Sequence, residues 1–379
     1  MNLRDRYLAA LKGEPVDRIP LSLDGFFYNG IGFELNRKHG YLYNSHSEID
    51  QEPDEGKREI THRAFDRSVT VLLWPSHESR YFMVPPQRVK ILKQETLDGI
   101  QRTTSIIDTP KGPLTSVVAR DYTSWEERYP VQSREDIDKI SSLPWEPPPG
   151  LCPPDLSALP DNFKERCVLQ ARISSPFVCV AGMMPYQFFL ELCAMDLDLI
   201  RELSIECGRR ILQTLDLLLA EKNVDIVWLG GCEWITPPMG SPEMYEILVQ
   251  EFEREIIERI HAAGALCHLH CHGNVRSTIE QVIMRGADFF EPVEPPPAGD
   301  IEFSEAKALV AGRMCLGGNI ESDVLATDSV QEVERAALKA FEGDPHPMVV
   351  KPSVYPLGRF TPRMVENYHR FIDVWEENA

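Results

Sequence analysis

The amino-acid sequence predicts an α/β protein built as a (β/α)8 barrel. Short apolar segments alternate with amphipathic helical segments, and the apolar segments lack a polar face, which is typical of parallel strands covered by helices. Five such strands in the second half of the chain and three in the first half give the eight strands of a barrel. These strands are residues 18–24, 69–74, 167–173, 225–231, 265–271, 288–294, 314–320 and 347–355.

The helices of the second half begin and end at residues suited to those positions. Asp196, Ser241 and Thr361 each precede an apolar stripe with steps of three and four residues, and each carries a side chain that can cap a helix. Gly264 and Gly286 follow two of these stripes and favour a helix end. Each strand is therefore followed by a helix, as the barrel requires.

The chain is expected to form a single domain over residues 1–379. Residues 85–125 alternate between apolar and polar side chains and contain turn residues at 98–99 and 110–112, which predicts an inserted antiparallel hairpin region over the barrel mouth. The proline-rich residues 143–160 return the chain to the barrel. A doubly wound open sheet would need a glycine-rich phosphate loop after its first strand, and LSLDGFFYNG contains none.

The composition excludes several classes of protein. With 39 Lys and Arg against 59 Asp and Glu, the net charge of −20 disfavours binding to nucleic acid or to an anionic membrane surface. No apolar run is long enough for a membrane helix, and the first residues do not resemble a signal peptide, so we expect a cytoplasmic protein. Nine scattered cysteines do not suggest a disulfide framework.

The segment HLHCHGN at 268–274 is the strongest candidate for a functional site. Alternation along a strand places His268, His270 and His272 on one face and Leu269 and Cys271 on the other. His270 and His272, at the strand end, can bind one divalent ion, while His268 lies deeper and would support them. The alternative is a polar layer of histidines without a metal.

Other polar residues also follow the predicted strands, where barrel enzymes build their active sites. Glu291 or Glu294 would supply a third metal ligand, and Glu291 lies nearer its strand end. Glu233 and His77 are candidate acid–base residues. The candidates for substrate binding are Asp24, Trp74, Asn319 and Tyr355.

Three segments give the sequence a family resemblance over nearly its whole length. EPVDRIPL near the start, the HxHGN strand end and TPRMVENYHRF near the end resemble the uroporphyrinogen decarboxylase superfamily. Its decarboxylase branch follows the opening motif with an arginine that holds substrate carboxylates, and LSLDGFFYNGIG has no arginine. The chain is more similar to the methyltransferase branch, which moves methyl groups between methylated compounds, corrinoid proteins and thiols.

That resemblance implies zinc on a histidine–cysteine pair and a later cysteine. His270 matches the histidine, His272 stands where the first cysteine is expected, and Ser353 and Tyr355 lie where the second should be. Imidazole and carboxylate ligands leave zinc a stronger Lewis acid than thiolates do. The expected function is therefore transfer of a methyl group from a small methylated compound, such as a methoxy ether, to a corrinoid protein. Glu233 or His77 would protonate the leaving oxygen. The alternatives are a uroporphyrinogen-decarboxylase-like decarboxylase and a metal-dependent hydrolase.

Overall fold

The computed structural model describes residues 1–23, 25–29, 41–43, 45–74, 81–121, 123–154, 161–343, 345–356 and 358–379. Within these ranges the strands form an eight-stranded sheet, a four-stranded sheet and a two-stranded pair. The strands are β1 Leu21–Ser22, β2 Tyr28–Asn29, β3 Tyr41–Leu42, β4 Ser68–Leu73, β5 Val89–Leu97, β6 Ile100–Ile107, β7 Leu114–Arg120, β8 Ser124–Arg128, β9 Cys167–Ser174, β10 Ile226–Gly230, β11 Leu266–His270, β12 Phe289–Glu291, β13 Cys315–Gly317 and β14 Met348–Val349.

The eight-stranded sheet is parallel and closes on itself. Its order is β1-β4-β9-β10-β11-β12-β13-β14. A parallel bridge between Leu21 and Val350 joins the last strand to the first. There the Val350 N–H donates to the Pro20 carbonyl at 2.9 Å, and the Ser22 N–H donates to the Val350 carbonyl at 3.0 Å. The predicted (β/α)8 barrel is confirmed, and each of its strands lies within or next to the segment predicted for it.

Helices surround the barrel and follow its strands. The caps predicted at Asp196, Ser241 and Thr361 are present, each side chain accepting a hydrogen bond from a backbone N–H three residues later. The helices are α1 Leu3–Leu11, α2 His46–Ile49, α3 Glu55–Ala64, α4 Arg134–Ser141, α5 Asp161–Arg166, α6 Pro176–Ala181, α7 Tyr186–Met195, α8 Leu197–Leu218, α9 Pro242–Tyr245, α10 Glu251–Ala262, α11 Ile279–Arg285, α12 Phe303–Val310, α13 Ser322–Thr327, α14 Val330–Leu338 and α15 Pro362–Asn378. Between α9 and α10, a π-helical turn at Glu246–Gln250 interrupts the single helix that the periodicity predicts.

The inserted region forms one antiparallel sheet in the order β5-β6-β7-β8. Asp98 and Gly99, both at positive φ, make the tight turn between β5 and β6 that the sequence predicts. The sheet extends beyond the predicted segment, because β8 ends at Arg128. Strand β5 is exposed along its whole length and is interrupted by a β-bulge between Ile91 and Lys93.

The interior of the barrel is apolar at the amino-terminal ends of its strands and polar at their carboxyl-terminal ends. At the amino-terminal end, side chains from α1 pack against inward-facing residues of seven strands. The buried members of this cluster are Tyr7, Leu11, Val69, Val168, Ile226, Phe289, Cys315 and Val349, and the partly buried Leu266 of β11 supplies the seventh strand. Helix α1 therefore closes one end of the barrel, and the polar residues described below occupy the other.

Outside the barrel, an ion pair is completely buried between α10 and α11. The guanidinium of Arg285 contacts the carboxylate of Glu253, and both side chains are 0% exposed. Arg285 also donates to the Tyr245 hydroxyl at 2.5 Å. Removing one partner from such a pair leaves a charge with neither water nor a counterion, and this is the main way the pair affects stability.

We expect Arg285→Met to lower the free energy of unfolding by about 3–5 kcal/mol, because Glu253 would keep a buried, unpaired charge. The double variant Arg285→Met/Glu253→Leu should be more stable than Arg285→Met alone. Urea unfolding followed by circular dichroism measures both. As a control, Arg313→Met breaks an exposed pair with Glu280 and should change stability by less than about 1 kcal/mol. An equal effect of Arg285→Met and Arg313→Met would contradict this account.

Candidate functional site

Strand β11 places its histidines inside the barrel, as the alternation predicts. His268, His270 and His272 line one cavity at the carboxyl end of the strands. Leu269 and Cys271, with the opposite orientation, are fully buried in the hydrophobic core. The chemistry of the site therefore begins with three imidazoles that share one face.

Glu291, on the neighbouring strand β12, connects two of these imidazoles to a lysine. Its Oε1 lies 2.7 Å from His268 Nε2 and 2.7 Å from His270 Nδ1, and its Oε2 accepts from Lys351 Nζ at 3.1 Å. Burial alone would raise the pKa of Glu291, but the charges of Lys351 and the histidines outweigh it and hold that pKa well below its usual value. Glu291 is thus a buried carboxylate that stays ionised.

His268 is enclosed by protein on both of its nitrogens. Its Nδ1 faces the side-chain amide of Gln170 at 3.2 Å, and its Nε2 faces Glu291. Burial lowers the pKa of His268 in spite of the nearby carboxylate. His268 therefore contacts Glu291 from deeper in the barrel, and its supporting role at a metal site stays a prediction.

His272 has a carboxylate partner of its own. Its Nδ1 lies 2.8 Å from Glu294 Oε1, and Glu294 Oε2 accepts from the Gly273 N–H at 2.9 Å. Burial lowers the pKa of His272, but the hydrogen bond and the charge of Glu294 outweigh it and raise that pKa overall. The ring is therefore held in one orientation by a group that contacts Nδ1.

The two outer imidazoles have the geometry of metal-binding histidines. When Nδ1–H donates to a carboxylate, Nε2 carries the lone pair that a metal requires, and such carboxylates orient histidine ligands in zinc proteins. The rings of His270 and His272 are 4.6 Å apart between centroids and nearly perpendicular. Glu291 and Glu294 are the carboxylates that contact Nδ1 of His270 and of His272. That one of them binds a metal directly stays a prediction.

Glu233 supplies a further carboxylate beside the histidines. Gly231, at φ 109°, turns the chain after β10 into a short 3-10 helix that carries Glu233. Glu233 lines a second depression together with His272 and Glu294, and its Oε2 is buried without a hydrogen-bond partner among the described residues. Two imidazoles and an unpaired carboxylate oxygen are a donor set that fits zinc.

No three His, Cys, Asp or Glu side chains of the described ranges already converge on one ion position. His270, His272 and a carboxylate would be the residues to hold zinc here, and Glu233 is a candidate for that carboxylate because its buried Oε2 lacks a partner among the described residues.

The cavity in front of the histidines has a volume of about 190 Å³. Arg172 and Trp228, at paired positions of β9 and β10, form part of its wall, and the guanidinium of Arg172 lies 4.0 Å from the centre of the Trp228 ring. The same indole contacts His270, with 4.9 Å between the ring centroids. Gly230 makes room for this indole, because a Cβ at that position would collide with it.

The structure brings some of the predicted substrate-binding residues to the cavity and not others. Tyr355 lines it and is 41% exposed. Trp74 is not among its described lining residues, and its indole N–H donates to the Cys152 carbonyl at 2.9 Å. Asn319 is buried and lies outside the described lining as well. Asp24 and His77 lie outside the described residues.

Four polar or aromatic residues of the cavity wall were not singled out from the sequence. Gln170 and Arg172 lie in the middle of β9 at alternate positions, so they share the inward face, and Trp228 and Lys351 face the same space. The signal was present as polar side chains at every second position of an otherwise apolar strand. Two cations, Arg172 and Lys351, therefore line the cavity beside the histidines and Glu291.

Glu321 is a further residue that the sequence analysis missed. Its Oε2 accepts from the Ser353 hydroxyl at 3.4 Å, and Ser353 lines the cavity. Burial, followed by the charge of Glu294, raises the pKa of Glu321 to about 6. This carboxyl group can therefore release a proton near neutral pH.

The sequence matches one protein family over most of its length. Residues 127–371 match the family described as Uroporphyrinogen decarboxylase (URO-D). The chain belongs to the uroporphyrinogen decarboxylase family. Among curated proteins, none has significant sequence similarity to it.

Two solved structures resemble this family member. A methyltransferase from Methanosarcina mazei is 15% identical with a TM-score of 0.59, over 100% of this chain and 99% of that chain. A B12-independent methionine synthase from Shewanella sp. W3-18-1, solved in complex with selenomethionine, is 8% identical with a TM-score of 0.45, over 95% of both chains. The first of these shows that the fold is shared over the whole length of both chains.

None of the helices in the described ranges combines the length and the apolar character that are needed to cross a bilayer.

We expect Lys351→Met to lower the free energy of unfolding at pH 7 by about 3 kcal/mol, because the buried Glu291 carboxylate would lose a cation. Since the folded-state pKa of Glu291 lies below its ordinary value of 4.5, its contribution is present above pH 4.5 and is lost as the pH falls through the folded-state pKa. The stability difference between wild type and Lys351→Met should therefore shrink in acid.

Urea unfolding at pH 7 and below pH 4.5 measures this difference. Lys339→Met is a matched control, because Lys339 pairs with Glu302 at the surface, where about half of each side chain is exposed. It should change stability by less than about 1 kcal/mol. A Lys351→Met effect that is the same at both pH values would contradict the role assigned to Glu291.

Proposed function

We propose that this protein transfers a methyl group from a small methylated compound, such as a methoxy ether or an N-methyl compound, to a corrinoid carried by a partner protein. One observation carries the proposal: His270 and His272, each oriented by a carboxylate, line a small cavity at the carboxyl end of the barrel. In barrels of this kind that end carries the active site.

The size of the cavity favours a small substrate. Pockets for drug-sized ligands are typically about 300–1,000 Å³. The cavity here is about 190 Å³, which suits a compound of one ring or less. Methyl transfer is placed ahead of porphyrinogen decarboxylation for this family member because LSLDGFFYNGIG lacks the arginine with which the decarboxylase branch holds substrate carboxylates. The solved structure of a methyltransferase with the same fold agrees with that choice.

Each residue of the site would have a defined task. His270 and His272 would hold zinc through Nε2 with a carboxylate ligand, for which Glu233 has an unpaired oxygen. Bound zinc supplies a Lewis acid for the heteroatom that carries the methyl group. Glu291 and Glu294 keep the imidazoles in the required tautomer and orientation.

The leaving heteroatom needs a proton, and the chain has several groups that can supply it. Glu233 and His77 are the two candidates that the sequence predicts for this step. Glu321 is a third candidate, because its pKa of about 6 lets it carry a proton near neutral pH and it adjoins the cavity through Ser353. The corrinoid supplies the nucleophile that accepts the methyl group. It would approach from the open barrel mouth.

We expect the purified protein to bind about one zinc ion per chain and the variant His270→Ala/His272→Ala to lose it. Elemental analysis by mass spectrometry measures the metal content. His261→Ala is the matched control, because His261 also faces a carboxylate, Asp288, but at the opposite end of the barrel. Zinc retained by the double variant at the wild-type level would contradict the metal site.

The activity is tested by mixing the protein with a reduced corrinoid protein and a panel of methoxy and N-methyl compounds. Methylation changes the visible absorption of the corrinoid, and we expect the rate to fall at least about 100-fold in His270→Ala/His272→Ala. His261→Ala should retain the wild-type rate. Release of alcohol or amine from the donor without any corrinoid would indicate a hydrolase and overturn the proposal.

A further inference from the structure

We propose that Tyr245 is a positioning residue, which holds the candidate zinc ligands His270 and Glu233 in place through a buried chain of hydrogen bonds. This inference rests on the proposed function, because it concerns the zinc site invoked there. The chain begins at Arg285 and passes through the Tyr245 hydroxyl. It continues through the Cys232 thiol to the backbone carbonyl of His270. Arg285, Tyr245 and Cys232 are not among the described residues that line either cavity at the histidines.

The chemistry of each group fixes the direction of the chain. A guanidinium has donors and no acceptor, so the Tyr245 oxygen accepts from Arg285, at 2.5 Å. The Tyr245 hydroxyl then donates to Cys232 Sγ, 3.5 Å away. Burial raises the pKa of Tyr245 well above its ordinary value, so the hydroxyl keeps the proton that it donates. The Cys232 thiol in turn donates weakly to the His270 carbonyl oxygen, at 4.0 Å.

The start of the chain is anchored inside the protein. The guanidinium of Arg285 is paired with Glu253, and Arg285, Tyr245 and Cys232 are each at most 3% exposed. Hydrogen bonds in such a setting polarise one another, and a charged donor strengthens the first of them. Since water does not reach these groups, it cannot replace a missing link. Loss of the Tyr245 hydroxyl therefore leaves Cys232 without its donor.

The chain ends where strands β10 and β11 stop pairing. Gly230 and His270 are the last residues of the two strands that lie opposite each other. Beyond them, β10 leads into the 3-10 helix that begins at Cys232 and carries Glu233. The contact between Cys232 and the His270 carbonyl joins the two segments past the end of the strand pairing. Because Cys232 directly precedes Glu233, this contact sets the position of Glu233 relative to His270.

A metal site depends on such support. Ligands bind a metal well only when the surrounding groups hold them close to the required geometry, and groups that orient ligands change metal affinity about 10- to 100-fold. Glu291 holds the imidazole of His270, and the chain from Tyr245 holds its backbone. Tyr245 would therefore raise the affinity for zinc without contacting the metal or the substrate.

The variant Tyr245→Phe tests this role, because it removes only the hydroxyl group. We expect its dissociation constant for zinc to rise about 10-fold, since Cys232 and Glu233 lose their fixed position. Competition with a chromophoric chelator measures the constant, and the visible spectrum of the cobalt(II)-loaded protein, which reports ligand geometry, should change as well. Tyr368→Phe is the matched control, because the Tyr368 hydroxyl is also buried but has no hydrogen-bond partner among the described residues. It should leave both measurements unchanged.

Variants of Cys232 separate positioning from a general loss of packing. Cys232→Ala should weaken zinc binding as Tyr245→Phe does. Cys232→Ser keeps a group that accepts and donates, so it should restore most of the affinity. The double variant Tyr245→Phe/Cys232→Ala should bind zinc no more weakly than the weaker single variant, because both changes break the same chain. Thermal unfolding of the zinc-free proteins checks that each variant is folded.

The outcomes distinguish this inference from the proposed function. Equal zinc affinity of wild type and Tyr245→Phe, an equal loss in Tyr368→Phe, or additive losses in the double variant would overturn the inference and leave the proposed function standing. A wild-type protein that binds no zinc would overturn the metal site and the inference together. Because these measurements need neither corrinoid nor methyl donor, a zinc affinity that depends on Tyr245 in a protein without methyl transfer would count against the proposed function alone.

Discussion

The site depends on keeping one carboxylate ionised inside the barrel. Glu291 is 2% exposed, and burying such a charge is unfavourable unless other groups compensate it. Lys351 and the imidazoles of His268 and His270 supply that compensation, from strand β11 and from the residues just after β14. These contacts fix the orientation of His270 and bring together three segments that lie far apart in the sequence. Strand β11 and the segment after β14 therefore cannot shift relative to β12 without breaking a contact with Glu291.

Most of the fold could be predicted because hydrophobic periodicity and helix caps are local properties. The eight barrel strands, the caps at Asp196 and Thr361 and the turn at Asp98 all follow from short segments of sequence. The inward orientation of the histidines also follows, since alternation along a strand is fixed by the backbone. The π-helical turn at Glu246–Gln250 could not be predicted, because it depends on how one helix packs against its neighbours.

The candidate site was only partly predictable, for a related reason. The sequence identifies polar residues at strand ends, but the partners of Glu291 come from two other segments, and only the closed barrel brings them together. Arg172 lies in mid-strand, where a charged residue is easily assigned to the solvent side, and its contact with Trp228 requires knowledge of the register between β9 and β10. The absence of the cysteines that the resemblance implies, with His272 in place of one and Ser353 and Tyr355 where the other should lie, needs no tertiary structure to recognise.

The exposed strand β5 has a consequence for how the chain behaves in concentrated solution. Among the described strands it lies at an edge of its sheet, and its Ile91, Leu92 and Leu97 side chains are about 60% exposed. Such edges recruit further strands and start aggregation unless something interrupts them. Here the bulge at Leu92 distorts the edge, and the charged side chains of Lys90 and Lys93 lie along it, paired with Asp108 and Glu95. The insertion can thus extend into solvent without becoming a template for fibril growth.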